Sequence, residues 1–206
     1  MSLPRLAVLI SGSGSNLQAL LDACAQGRLE ARVAVVVSDR PQAYGLERAR
    51  RAGVPVRVLG WGEAGRQGLT RAAYDAALAR EVAAFRPDLV VLAGWMRILG
   101  REFLEAFPGR VINLHPALPG AFPGARAIAR AYQAYRRGEI HGSGCMVHLA
   151  TEEVDAGPVL GQMAVPLYPE DTLEAFEERM HQAEHGLLVQ TVGDFLKTLG
   201  ASTGDG

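Results

Sequence analysis

The stretch Leu6-Ala-Val-Leu-Ile-Ser-Gly-Ser-Gly-Ser-Asn16 decides the fold. Its first five residues are apolar without a break, the pattern of a strand buried on both faces. A Gly/Ser loop follows, then a helical pattern from about residue 16 to 26. Strand, tight turn and helix in that order open a parallel β-α-β unit. The alternation continues outward from there. Segments 33–37, 54–59, 89–92 and 110–114 read as further strands. Helical segments lie between them: 45–52, stopped by Gly53, and the Ala-rich 69–85, ended before Pro87, with a short helix between the fourth and fifth strands. The order predicts an α/β protein with a doubly wound, mostly parallel sheet and helices on both faces.

After His115 the texture changes. A Pro/Gly-rich loop spans 116–124, and a helix is expected over about 126–136. Two strands near 144–150 and 158–166 have no helix between them, only the acidic turn 151–157. Parallel neighbours need a long crossover, so this part of the C-terminal half is expected to add antiparallel pairing to the sheet. A last helix is expected over about 172–199, with Asp171 as its N-cap. The tail from Ser202 should fray. No repeat or low-complexity linker divides the 206 residues, so one domain, 1–206, is expected.

Composition excludes several classes. Hydrophobic residues are 49% and charged residues 21%, enough for a core and too apolar for a disordered chain. Lys plus Arg is 21 against 22 for Asp plus Glu, a net charge of -1. A general nucleic-acid binder would show a basic excess. Cys24 and Cys145 stand alone, with no disulfide or zinc pattern. No signal-peptide or membrane-spanning run is evident, so neither nucleic acid nor membrane is expected as a partner, and a cytoplasmic location is.

Three segments carry chemistry. The glycine loop can bring backbone N–H groups and a helix N-terminus to an anion, so a phosphate on Gly14, Ser15 and Asn16 is one reading. A plain strand-to-helix turn capped by Ser15 or Asn16 is the other. The dinucleotide fingerprint would need glycine where Leu17 stands, although Asp39 could imitate its ribose-binding acid. Asn113-Leu-His-Pro116 lies at a strand's C-terminal end, where Asn113 and His115 share a face. An amide donor beside an imidazole suits acyl-type chemistry, the amide holding an oxyanion and the ring moving a proton. A capping Asn and a packed His is the alternative. Among His148, Glu152, Glu153 and Asp155, a carboxylate close to His115 would raise the ring's pKa and keep it charged at neutral pH. Ala93-Gly-Trp-Met-Arg-Ile-Leu99 supplies apolar surface through Trp95, Met96, Ile98 and Leu99 at the same sheet edge, or simply packs in the core. His181 and His185 lack a metal-site pattern, and no metal is expected.

Ser-Gly-x-Gly-Ser-Asn, Gly45-Leu-Glu-Arg-Ala49, Ala93-Gly-Trp-Met-Arg-Ile-Leu99, Asn113-Leu-His-Pro116 and Val154-Asp-Ala-Gly-Pro158 occur in this order. The set resembles the glycinamide ribonucleotide formyltransferases, folate-dependent enzymes of purine synthesis, over nearly the whole chain. The resemblance implies their Rossmann-like fold, with residues 1–115 as the phosphate- and nucleotide-binding half, 116–200 as the folate-binding and catalytic-loop half, and 201–206 as a tail. It implies Asn113, His115 and Asp155 as the catalytic trio. It implies Gly14, Ser15 and Asn16 on the ribonucleotide phosphate, and Glu184 near the same substrate. For the folate it implies Arg71 near the tail, Met96, Arg97, Ile98 and Leu99 along the pterin pocket, Asn113, and the loop residues Thr151, Glu152, Glu153, Val154 and Asp155. The co-substrate would be 10-formyltetrahydrofolate, without a metal, and a homodimer is left open. The amine of the ribonucleotide would attack the formyl carbon directly, with Asn113 and a protonated His115 on the oxyanion.

The chain departs from the family pattern in two places. Pro116-Ala-Leu-Pro-Gly120 replaces the usual Pro-Ser-Leu-Leu-Pro, and Gly124-Ala-Arg126 stands where a His is common. A methionyl-tRNA formyltransferase would share the Asn-x-His-Pro and Asp segments but is expected to add a basic C-terminal module. A formyltetrahydrofolate hydrolase is expected to carry an N-terminal regulatory domain. A nicotinamide-binding oxidoreductase and a non-catalytic binding module are the alternatives of other classes.

Overall fold

The computed structural model describes residues 2–62 and 68–202. Seven strands form one sheet: β1 (Arg5–Ile10), β2 (Arg32–Ser38), β3 (Val56–Val58), β4 (Leu89–Leu92), β5 (Val111–His115), β6 (Ser143–Leu149) and β7 (Val159–Val165). Their spatial order is β3-β2-β1-β4-β5-β6-β7. The first five are mutually parallel. β6 runs antiparallel to both β5 and β7; the β6–β7 pair is the one joined without a helix, whereas the helix Ala127–Arg136 stands between β5 and β6.

Strand alternation sorts the core into two layers. On one face Leu6, Val8 and Ile10 of β1 join Val36, Val91, Ile112 and Val147. Three helices cover them there: α1 (Ser15–Ala25), α2 (Tyr44–Arg51) and, with Phe176, Met180 and Leu188, the long α6 (Leu173–Ser202). Ala131 of α5 (Ala127–Arg136) packs into the same layer. On the other face Ala7 and Leu9 join Val35, Val37, Val90 and Val111 beneath α3 (Arg71–Ala83) and α4 (Arg101–Leu104). Each buried Leu, Ile or Val contributes about 1.5–3 kcal/mol, so this two-sided burial is what selects the doubly wound arrangement.

The direction of winding reverses between β1 and β4, although the two strands are parallel. From β1 the chain winds outward through β2 and β3, then returns to the other side of β1 at β4. Their C-terminal extensions therefore diverge, and a crevice opens between them. Three hydrogen bonds tie its floor. Ala93 N–H donates to Leu9 O at 2.9 Å, Ser11 N–H to Gly94 O at 3.0 Å, and Met96 N–H to Ser11 Oγ at 2.9 Å.

Two details of the last helix differ from expectation. Thr172, not Asp171, caps α6: its Oγ1 accepts from Ala175 N–H at 3.2 Å. The Asp171 carboxylate is instead taken by Arg179 through two bonds of 2.7 and 2.8 Å and by Tyr168 N–H. A bidentate guanidinium outcompetes a single cap bond, and it holds the Asp171 pKa down at about 2. Of the tail expected over 201–206, Ala201 and Ser202 belong to α6, and the rest lies outside the described residues.

Gly45, in the first turn of α2, packs directly on the glycine loop. A Cβ there would collide with Ile10 Cδ1 and lie 3.1 Å from Gly14 Cα. Alanine ordinarily favours a helix over glycine by about 1 kcal/mol, but overpacking against a strand and a backbone costs about 1–3 kcal/mol. Gly45→Ala is therefore expected to lower the urea unfolding midpoint. An unchanged or raised midpoint would contradict this packing.

Candidate active site

A cleft of about 970 Å³ lies along the C-terminal edge of the sheet. The glycine loop lines one end, and the ends of β4 and β5 line its floor. Residues from β6, the 151–155 turn and α6 complete it. β5 delivers Asn113 and His115 to it, and the intervening Leu114, which also touches its lining, packs mainly in the core behind. Period-two alternation dictates that split.

Asp155 arrives from the turn between β6 and β7. Its backbone is left-handed, with φ 54°. Asp tolerates that region better than most side chains. One oxygen, Oδ1, accepts from Asn113 Nδ2 at 3.1 Å. The other, Oδ2, accepts from Gly124 N–H at 2.8 Å and lies 3.2 Å from His115 Nδ1. Burial alone pushes the carboxyl pKa up. The His148 ring, the Gly124 N–H and the His115 ring outweigh it, and the group settles below the ordinary carboxylate value.

His148 is the residue that sequence reasoning left without a role. It sits directly across from Asn113 in the antiparallel β5–β6 register. Its Nδ1 is 2.8 Å from Leu149 O, and a carbonyl only accepts, so Nδ1 carries the proton. Nε2 is then the acceptor for Asn113 Nδ2, at 3.1 Å. Both amide N–H groups of Asn113 are thereby directed, one to Asp155 and one to His148. Only the strand register reveals this, since nothing in the local sequence sets 35 residues of separation to zero.

His115 is buried, with Nδ1 toward Asp155 and Nε2 3.2 Å from Phe122 O. The upward pull expected of a nearby carboxylate is present but does not win. Desolvation is the larger effect, Asp155 pulls the other way, and the net shift is downward from 6.5. The downward shift favours the uncharged ring at neutral pH. Three of the four left-handed non-glycine residues among those described, Phe122, Arg126 and Asp155, border this site. Strain of that kind costs about 1–3 kcal/mol per residue and is held only where the surroundings over-determine it.

The chain matches the formyl transferase family over residues 4–192. It belongs to that family. It is 45% identical over 196 residues to a phosphoribosylglycinamide formyltransferase of Dictyostelium discoideum, covering 91% of this chain and 95% of that protein. It is 47% identical over 195 residues to one of Schizosaccharomyces pombe, covering 91% and 94%. Glycinamide ribonucleotide transformylase 1 from Symbiobacterium toebii shares its fold with a TM-score of 0.87 at 46% identity, over 96% of this chain and 89% of that one.

The cleft gathers most of the residues singled out from the sequence. Gly14, Ser15 and Asn16, Met96 to Leu99, Asn113, His115, Thr151, Glu153, Val154, Asp155 and Glu184 all line it. Arg71 and Glu152 are not in its lining. Arg71 is drawn to the buried Asp75, 3.3 Å away, and its guanidinium lies over the Trp61 ring. The 95–99 stretch divides its apolar residues. Trp95 and Leu99 sink into the core at 7% and 4% exposure, whereas Met96 and Ile98 stand 63% and 54% exposed at the cleft. Arg97 also lines the cleft, but its Nε is fixed by the buried Asp39 at 2.8 Å. That ion pair removes Asp39 as an imitation of a ribose-binding acid. Glu184 is buried against His181 Nδ1 at 2.6 Å, and that bond raises the His181 pKa. Among the described residues, no group of three or more His, Cys, Asp or Glu is placed to hold a metal ion, and no helix is long and apolar enough to cross a membrane.

Asp155→Asn tests the electrostatics. Asn also tolerates the left-handed turn, so the loop is retained. Losing the carboxylate leaves desolvation of His115 less opposed, and its NMR titration midpoint moves further below 6.5. A midpoint that rises would refute this balance of forces.

Proposed function

We propose that this chain transfers the formyl group of 10-formyltetrahydrofolate to the amine of glycinamide ribonucleotide, a step of purine biosynthesis. The observation that carries the reading is the convergence of Asn113, His115 and Asp155 in a cleft that also holds the glycine loop. The loop N–H groups at Gly14, Ser15 and Asn16 take the phosphate, and Glu184 faces the ribonucleotide from α6. Met96 and Ile98 offer exposed apolar surface to a flat heterocycle. Covering such a side chain contributes about 1.5–3 kcal/mol. Asp155 and its turn line the same cleft.

The chemistry follows from the same atoms. The amine nitrogen attacks the formyl carbon, a C–N bond forms, and the carbonyl pair moves to oxygen. An Asn113 N–H, 3.1 Å from Asp155, is the donor we assign to that oxyanion. The attacking nitrogen must shed a proton, and the folate nitrogen must gain one as its C–N bond breaks. Neutral His115 can accept the first, because Asp155 beside it stabilises the imidazolium that results. The same pair then releases the proton to the leaving nitrogen. No covalent intermediate with the protein is needed.

Tetrahydrofolate release, followed by absorbance, tests the reading. Turnover requires both substrates; release without the amine would indicate a hydrolase instead. Removing one oxyanion donor costs about 2.7–4 kcal/mol, so Asn113→Ala is expected to lose roughly 10²–10³ in kcat. His115→Ala should lose a comparable factor, and wild-type turnover in it would refute the assignment. The neutral ring is the working form, so kcat/KM should be level above pH 6.5 with respect to this group and fall as pH drops through its lowered pKa.

A further inference from the structure

The glycine loop does not orient itself. Gly12 O accepts from Gly45 N–H of α2 at 3.1 Å, and Ser13 O accepts from Arg48 Nε at 2.9 Å. Gly14 O accepts from Gln18 N–H at 2.9 Å, the first turn of α1. Three successive carbonyls are therefore held. In a trans peptide the C=O and the next N–H point in opposite directions. Fixing the carbonyls of Gly12, Ser13 and Gly14 thus turns the N–H groups of Ser13, Gly14 and Ser15 the other way. Among the described residues those three N–H groups donate to no protein acceptor. The loop itself lines the cleft. Beside it Asn16, only 9% exposed, keeps a buried Oδ1 with no partner.

Of the three anchors, Gln18 comes with any helix and Gly45 acts through its backbone. Arg48 is the only side chain among them. Its placement is over-determined: Nη1 donates to Gln18 Oε1 at 3.1 Å, and the guanidinium lies 5.0 Å from the Tyr44 ring centroid. Its Cδ packs about the Gly14 position, where a Cβ would stand 3.5 Å from it. We infer that Arg48 is a positioning residue for the phosphate of the amine substrate: from behind the loop it anchors Ser13 O, which aims the Gly14 N–H into the cleft, and it adds a positive charge on the far side. The inference rests on the glycine loop being the phosphate site.

Arg48→Met keeps the stem over Gly14 and removes both donor and charge. KM for glycinamide ribonucleotide and the inhibition constant of inorganic phosphate are then expected to rise together by about tenfold, the scale of one charge-assisted hydrogen bond. The kcat at saturation, and the KM for the phosphate-free glycinamide ribonucleoside, should stay within about twofold. A role confined to stability would move neither constant selectively. Arg48→Gln is read in the same way should the Met variant fail to fold. Unchanged KM and phosphate inhibition, or equal losses with and without the phosphate, overturn the role of Arg48. Wild-type protein whose turnover phosphate does not inhibit competitively overturns the glycine-loop reading itself, and this inference with it.

Discussion

The Asp155 carboxylate is the constraint on which the rest of the site depends. It is nearly buried, with its side chain 10% exposed, and it is ionised. Desolvating a carboxylate costs several kcal/mol unless charge-assisted hydrogen bonds replace the lost water. Here the replacements are the Asn113 amide on β5 and the Gly124 N–H of the Pro/Gly-rich loop, with His115 Nδ1 3.2 Å away. One charge therefore holds a strand end, a loop and a turn in register. The left-handed backbone at Asp155 and Phe122 is the strain that this network sustains.

The sheet supplies the other half of the design. The reversal of winding between β1 and β4 opens the crevice, and the antiparallel β6 closes the side that further parallel crossovers would have left to helices. Because β6 pairs with β5 residue for residue, His148 lands on Asn113 and fixes which amide atom faces Asp155. At the opposite end α2 is pressed against the glycine loop at Gly45, close enough that a side chain would not fit. The cleft is thus framed by backbone geometry at one end and by a buried charge at the other.

Some of this was legible from residues alone. Uninterrupted apolar runs marked the strands, and the missing helix between β6 and β7 marked the antiparallel addition, since both follow from local pattern. Asn113 and His115 were placed on one face by strand periodicity. Other readings failed where two distant groups compete for one partner. Asp171 sits at a helix start but is captured by Arg179, leaving the cap to Thr172. Asp39 could have faced a ribose but binds Arg97. The direction of the His115 shift was misjudged because charge proximity was visible in the motif whereas depth of burial was not.

Taken by itself, the sequence determined the element order, the doubly wound sheet, the family resemblance and the identity of the polar trio, because period-two and period-3.6 patterns and turn residues are local properties. Only the tertiary structure decided which atoms meet. It put the Asp155 carboxylate between Asn113 and His115, put His148 opposite Asn113, and put Arg48 behind the glycine loop. Those contacts span 35 to 42 residues along the chain, and they depend on strand register and on desolvation, which no local stretch encodes.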